Sequence, residues 1–343
     1  MTPSPSPWRW RTASKRLVMR IRRPWAVLMY HRVSAETVDP WGLCVSPDKF
    51  AEQMAAIRAV GGCRKLDQRT GAPWSRRPGT PQIAVTFDDG YADNAHAALP
   101  ILERYDIPAT LFVVSGALGS SREFWWDKLA RCILAPTTLP AQLVLDMGKG
   151  DEAFALEDSP SSAQGNVNKE WRADVDDPST PRQRLFLALW HRLVVMNDAA
   201  RRSVLDALVS WADPGSRPDP HSLPLTADDV ARLSTHPLIE IGAHTMSHAS
   251  LPDLAPAEQH AEIVGSKLAI EKITGKPVRL FSYPYGRHDK SAIDIVRRAG
   301  FVLACTSEPA AATAFSRRYR LPRLQIADDD GENFISKVYQ AVV

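Results

Sequence analysis

Short apolar runs, each closed off by proline, glycine or charge, recur along the chain. Seven of them read as buried strands: Trp25–Tyr30, Gln82–Phe87, Pro108–Val114, Leu238–Ala243, Val278–Tyr283, Phe301–Thr306 and Tyr319–Ile326. Apolarity that is continuous rather than alternating is what parallel strands need when both faces of the sheet are covered. Amphipathic stretches lie between the runs. Pro47–Val60 follows Ser46, a residue suited to capping a helix N-terminus. Asn94–Tyr105, Pro256–Thr274 and Ser291–Ala299 come next, with Gly275 and Gly300 where helix-ending glycines belong. Strands alternating with helices predict an α/β fold with a parallel sheet, here closed into a barrel.

One stretch breaks the alternation. Between Ser115 and Pro237 no strand is predicted. Met147 to Pro181 is rich in Gly, Ser, Asp, Asn and Pro and reads as loop or disorder. Arg182–Val195 and Ala199–Trp211 read as two helices. Residues of about 115–225 are therefore expected to form a helical and loop insertion in a domain spanning 24–343, either a cap beside the active site or a tolerated surface excursion.

Composition changes this picture little. A chain of 343 residues, 44% hydrophobic and 24% charged, is ordinary for a globular protein. The net charge of +3 does not by itself imply a nucleic-acid partner. Cys44, Cys63, Cys132 and Cys305 are scattered without a CxxC pair and read as free thiols. Residues 1–23 carry seven Lys/Arg and no acid, with no uninterrupted apolar stretch behind them. That pattern predicts a disordered basic tail rather than a cleaved signal or a membrane span, and hence a cytoplasmic protein. Such a tail could also rest peripherally on an anionic membrane face.

The candidate chemistry sits at strand ends. In Val85-Thr86-Phe87-Asp88-Asp89-Gly90 an apolar strand runs into two adjacent carboxylates, which repel each other unless a cation or proton intervenes. A solvated turn is the competing reading. In Ile241-Gly242-Ala243-His244-Thr245-Met246-Ser247-His248 a second strand leads into two histidines at i and i+4, expected on one face of a helical turn and within reach of one ion. Two imidazoles plus one carboxylate is a catalytic rather than a closed structural donor set, suited to zinc, cobalt, nickel or iron. A third strand enters Phe281-Ser282-Tyr283-Pro284-Tyr285-Gly286, a turn able to aim a backbone N–H as an oxyanion donor.

Taken in order, Thr86-Phe87-Asp88-Asp89-Gly90, His244-Thr245-Met246-Ser247-His248 and Tyr283-Pro284-Tyr285-Gly286 resemble the motifs of the polysaccharide deacetylases, the NodB-homology or carbohydrate esterase 4 family. The resemblance covers about 25–114 and 226–326. It implies a distorted (β/α) barrel of about seven parallel strands and a hydrolase that removes acetyl groups from N-acetylated sugars. It also implies that Asp89, His244 and His248 bind a divalent metal, usually zinc. Asp88 would be the base acting on the metal-bound water, and the Tyr285 N–H would hold the oxyanion. The family's third motif usually carries an Arg two residues before its proline; here that residue is Ser282, and Arg323 is the candidate to orient Asp88 instead. The usual acid histidine near the C-terminus is also missing. One branch of the family is similar at Met29-Tyr30-His31-Arg32-Val33, which implies His31 as the acid, with His288 in reserve.

Candidate substrate contacts are Tyr283, Pro284, Arg323, Trp125 and Trp126. The two tryptophans, in Phe124-Trp125-Trp126-Asp127, would either stack on a sugar face or pack the core of the insertion. Two further readings remain open: hydrolysis of a non-sugar amide on the same barrel, and a non-catalytic carbohydrate-binding protein.

Overall fold

The computed structural model of the chain describes residues 24–36, 38–67, 82–148, 150–156, 170–212, 218 and 220–342. The basic tail, with its proposed membrane contact, lies outside them. Among the described residues no helix is long and apolar enough to cross a membrane.

Seven parallel strands close into a barrel. In chain order they are β1 (Trp25–Tyr30), β4 (Gln82–Phe87), β5 (Ala109–Val113), β8 (Ile239–Ala243), β9 (Leu280–Ser282), β10 (Leu303–Pro309) and β11 (Leu321–Gln325). Around the barrel the order is β1, β11, β10, β9, β8, β5, β4, and all the pairings are parallel. All seven predicted runs are barrel strands. Two short strands, β2 (Arg32–Val33) and β3 (Cys44–Val45), pair beside it.

The two-residue period of a strand divides the barrel's side chains. Trp25, Val27, Ala84, Phe112, Leu280, Leu303, Cys305 and Leu321 form one buried cluster, while their neighbours Ala26, Leu28, Ile83, Val85, Leu111 and Phe281 join a larger one with the helices. The first set fills the lumen as side-chain layers do in parallel barrels. Towards the strands' C-terminal ends that lining turns polar, with Thr86, Asp88, Ser282, Thr306 and Arg323 all buried.

The outer helices are α1 (Pro47–Val60), α2 (Leu99–Tyr105, led in by a π-turn at Asn94–Ala98), α6 (Ala227–Thr235), α7 (Pro256–Thr274), α8 (Lys290–Arg298) and α9 (Gly331–Val342). Gly275 adopts the left-handed conformation expected of a helix-ending glycine. Ser46 stands at the N-cap of α1, but its hydroxyl binds Asp328 rather than the helix.

Between β5 and β8 the expectation of no strand is overturned. Gln142–Asp146 (β6) and Asp151–Ala155 (β7) form an antiparallel hairpin in a stretch read partly as loop. The alternating exposure of Gln142–Asp146 explains the miss, because only Leu143 and Leu145 are buried. Helices α3 (Trp125–Ile133), α4 (Pro181–Leu193) and α5 (Asp198–Ala212) pack with this hairpin around their own apolar cluster. All four cysteines are free thiols.

Candidate active site

The C-terminal ends of β1, β4, β8, β9 and β11 bring the predicted residues together. Asp88 and Asp89 leave β4 side by side, and both are buried. His244 and His248 follow β8, but not on a helical turn as their spacing suggested. Thr245 and His248 both have left-handed backbones, with φ of 63° and 56°, so the segment is an irregular loop. Glu262 of α7 holds it in shape: its carboxylate accepts from the Met246 and Ser247 N–H groups at 2.8 and 2.9 Å and from the Ser247 hydroxyl at 2.7 Å. Among the described residues, five non-glycine positions have positive φ, and four of them (Asp89, Thr245, His248 and Tyr285) lie at this site. Such backbone strain persists only where surrounding structure enforces it.

Asp89, His244 and His248 can offer one ligand atom each to a single metal ion, with the three atoms within 4.8 Å of one another. The Nε2 atoms of His244 and His248 stand 3.4 and 3.3 Å from Asp89 Oδ1, which has no hydrogen-bond donor of its own. His244 donates Nδ1–H to the Ser282 carbonyl at 2.8 Å, which leaves Nε2 as its lone-pair donor. Burial, partly opposed by Asp89, lowers the His248 pKa to about 4, so this imidazole is neutral near pH 7. Burial raises the Asp89 carboxyl, but its close contacts with the two histidines outweigh it and hold the group well below the usual carboxylate range. At His244 the opposite holds: burial is outweighed by Asp88 and Asp89, which raise its pKa. A buried carboxylate facing two imidazole nitrogens suits a divalent cation, which would replace the proton that Asp88 and Asp89 favour on His244.

Asp88 is tied down separately. Arg323, fully buried in β11, gives Nη1 to Asp88 Oδ1 at 2.7 Å and Nη2 to Oδ2 at 2.5 Å. Its remaining donors go to the Thr306 carbonyl, the Thr86 hydroxyl and the Ser282 hydroxyl, so all five N–H groups have acceptors. Ser282 in turn donates to Asp88 Oδ2 at 3.1 Å. Burial alone would raise the Asp88 pKa; the Arg323 and His244 charges and the Arg323 hydrogen bonds reverse that and keep it low. Arg323 thus touches the carboxylate and not open space, which corrects its listing among substrate contacts. The strand neighbourhood that lacks an Arg at 282 receives one from β11.

His31 follows β1, half-buried, with its carbonyl accepting from Asn94 Nδ2 at 2.9 Å. It lies close enough to contribute to the electrostatics of both Asp88 and Asp89. His288 instead packs on the Tyr283 ring and bonds the Gly286 carbonyl through Nδ1. Tyr283 is fully buried between Phe281 and His288, and Pro284 is buried beside it, so neither offers a free substrate face. Tyr285 has a φ of 57° and rests its ring on His248 at 4.5 Å. Trp125 and Trp126 pack the second core. Trp126 is sandwiched with Phe124 at 4.8 Å and meets His248 at 4.5 Å, so the core-packing reading replaces sugar stacking.

Some of the surrounding network carried no sequence signal. Trp126 Nε1 donates to the Tyr91 hydroxyl at 2.7 Å, and Tyr91 donates to Asp127 at 2.8 Å. Burial, opposed by Arg32 and Tyr91, raises the Asp127 pKa to about 7. Arg32 itself pairs with Asp93 at 3.0 Å. Glu262 and Arg201 were equally invisible, being charged residues on ordinary helical stretches.

Fold and cluster together define a class: parallel barrels whose strand ends present a carboxylate and two imidazoles able to hold one ion. Comparison with known proteins narrows it. The family model "Polysaccharide deacetylase" matches residues 75–139 and 210–304. The Bacillus subtilis (strain 168) protein YxkH, whose name assigns it provisionally to the polysaccharide deacetylases, is 19% identical over 304 residues, covering 88% of this chain and 71% of its own. Two solved structures share the fold. The Streptococcus pyogenes deacetylase PplD, in complex with acetate, is 18% identical with a TM-score of 0.55, over 94% of this chain and 99% of its own. BC0361, a polysaccharide deacetylase from Bacillus cereus, is 18% identical with a TM-score of 0.56, over 92% and 69%. On these matches the chain is similar to the polysaccharide deacetylases, hydrolases that act on N-acetyl amide bonds.

Proposed function

We propose that this protein is a metal-dependent hydrolase that removes acetyl groups from N-acetylated sugars of a glycan or glycan precursor. The observation that carries the reading is the division of labour between adjacent carboxylates: Asp89 faces His244 and His248, while Asp88 is held apart by Arg323 and Ser282. Asp89, His244 and His248 would hold the ion, zinc by the chemistry of the set. When bound, such an ion supplies Lewis acidity to the attacking water and the acetyl oxygen.

The chain's own groups do the rest. Asp88, kept ionised by Arg323, takes the proton of the attacking water. The clamp on both Asp88 oxygens fixes which lone pair meets that water. The Tyr285 N–H donates to the oxyanion that forms on the acetyl group. His31 gives a proton to the leaving sugar nitrogen, and acetate and a free amine result.

Acetate release from N-acetylglucosamine oligomers and from lipid-linked N-acetylhexosamines, with and without added Zn²⁺, tests the reading. Release that requires metal and disappears with chelator is expected. Release from simple amides but from no sugar would move the activity to another substrate class, and sugar binding without hydrolysis in the metal-loaded protein would make the chain a binding module.

A further inference from the structure

Beside His248, several buried hydrogen-bond donors gather. Arg201, in the first turn of α5, is 2% exposed, and among the described residues its Nε and Nη1 have no hydrogen-bond partner. Its guanidinium lies over the Trp125 ring at 5.2 Å. The Trp125 indole N–H and the Tyr285 hydroxyl are likewise buried; they interact with each other, but among the described residues neither has a hydrogen-bond partner in good geometry. Among the described residues the one carboxylate paired with Arg201 is Asp198, 3.7 Å from Nη2, and Asp198 is shared with Arg202. A buried guanidinium with half a counter-ion and two idle donors is costly unless an acceptor completes it.

The position of the cluster says what that acceptor is part of. Tyr285 and Trp126 both rest on His248 at 4.5 Å, and Trp125 meets Trp126 edge-on at 5.7 Å. The donors therefore join the ligand cluster through the Trp126 and Tyr285 rings that rest on His248. The Arg201 charge is felt at both His248 and Tyr285. Two guanidinium N–H positions without acceptors, beside a hydroxyl and an indole N–H that can also donate, suit a group rich in anionic oxygen.

We propose that Arg201, Trp125 Nε1 and the Tyr285 hydroxyl form a subsite for an anionic substituent, so that the favoured substrate is an acidic acetamido sugar bearing a phosphate or a carboxylate. The inference rests on the deacetylase reading above and adds a substrate class to it. Trp125 comes from α3 and Arg201 from α5, with Tyr285 supplied by the turn after β9, so the stretch between β5 and β8 would contribute to specificity.

The test compares kcat/KM for acetate release from N-acetylglucosamine 1-phosphate, N-acetylmuramic acid and N-acetylglucosamine, using the metal-loaded full chain. The wild type is expected to prefer one or both acidic sugars, and the preferred one identifies the anion. In Arg201→Met, which keeps the stem on Trp125, the acidic-to-neutral ratio should fall about 10- to 100-fold, with partial recovery in Arg201→Lys. Trp125→Phe, which keeps an aromatic ring and removes the N–H, should lower the same ratio by a smaller factor. No preference in the wild type, or equal losses on acidic and neutral sugars in the variants, overturns the subsite. Calorimetric binding of the sugar phosphate against the neutral sugar separates the two claims. Selective binding lost in Arg201→Met, with no acetate released from any sugar, would retain the subsite and sink the deacetylase reading.

Discussion

Asp88 and Arg323 show how far single residues could be read from the chain. Two acids at the end of an apolar strand, and two histidines after another, are chemically conspicuous because burial of such groups needs compensation. The replacement of an expected arginine by Ser282 was equally visible. What filled the gap was not, because strand pairing around a barrel, not sequence distance, brings Arg323 to Asp88. The pairing makes a specific prediction. Arg323→Lys keeps a charge but loses the two-pronged grip, so kcat should fall about 10- to 100-fold with metal affinity retained. Arg323→Met leaves Asp88 buried and uncompensated and should destabilise the fold by about 3–5 kcal/mol in urea titrations. Unchanged kcat in Arg323→Lys would remove the arginine from the account.

At the scale of elements, all seven barrel strands were legible, since continuous apolarity bounded by breakers leaves few alternatives. The hairpin β6–β7 was not, because half of its side chains face water and its composition resembles a loop. The histidine spacing misled in a different way. An i, i+4 pair fits a helix, yet these two reach one point through a strained loop held by Glu262, a contact made by a distant helix. Glu262→Ala should therefore weaken metal binding about 10- to 100-fold in chelator competition, while the far-ultraviolet circular dichroism stays unchanged. Gly116→Ala should act on the same loop from the other side, because an added Cβ would come within 2.5 Å of the Met246 carbonyl. Wild-type metal affinity in both variants would show that the loop needs neither support.

Across the whole molecule the chemistry is confined to one end of the barrel, and the opposite end carries a different burden. Glu240 of β8, beside Asp67, Lys65 and Arg279, has its pKa raised to about 7, chiefly by burial. The folded state then keeps a proton that the unfolded chain releases near 4.5, so this group costs stability as pH rises from about 4.5 to 7. The loss should be on the order of 2 kcal/mol, reduced by partial exposure, and Glu240→Gln should remove it. Urea midpoints at about pH 5 and about pH 8 test this: the wild type should lose more between them than the variant, and equal slopes would contradict it. The central claim concerns the other end, where one carboxylate would serve the metal and its neighbour the water. Its most direct measurement pairs metal content with acetate release in Asp88→Asn and Asp89→Asn. Asp88→Asn should keep its bound metal and lose about 10²–10⁴-fold in rate, whereas Asp89→Asn should lose the metal itself. Full metal-dependent activity in Asp88→Asn, or undiminished metal binding in Asp89→Asn, would contradict the account.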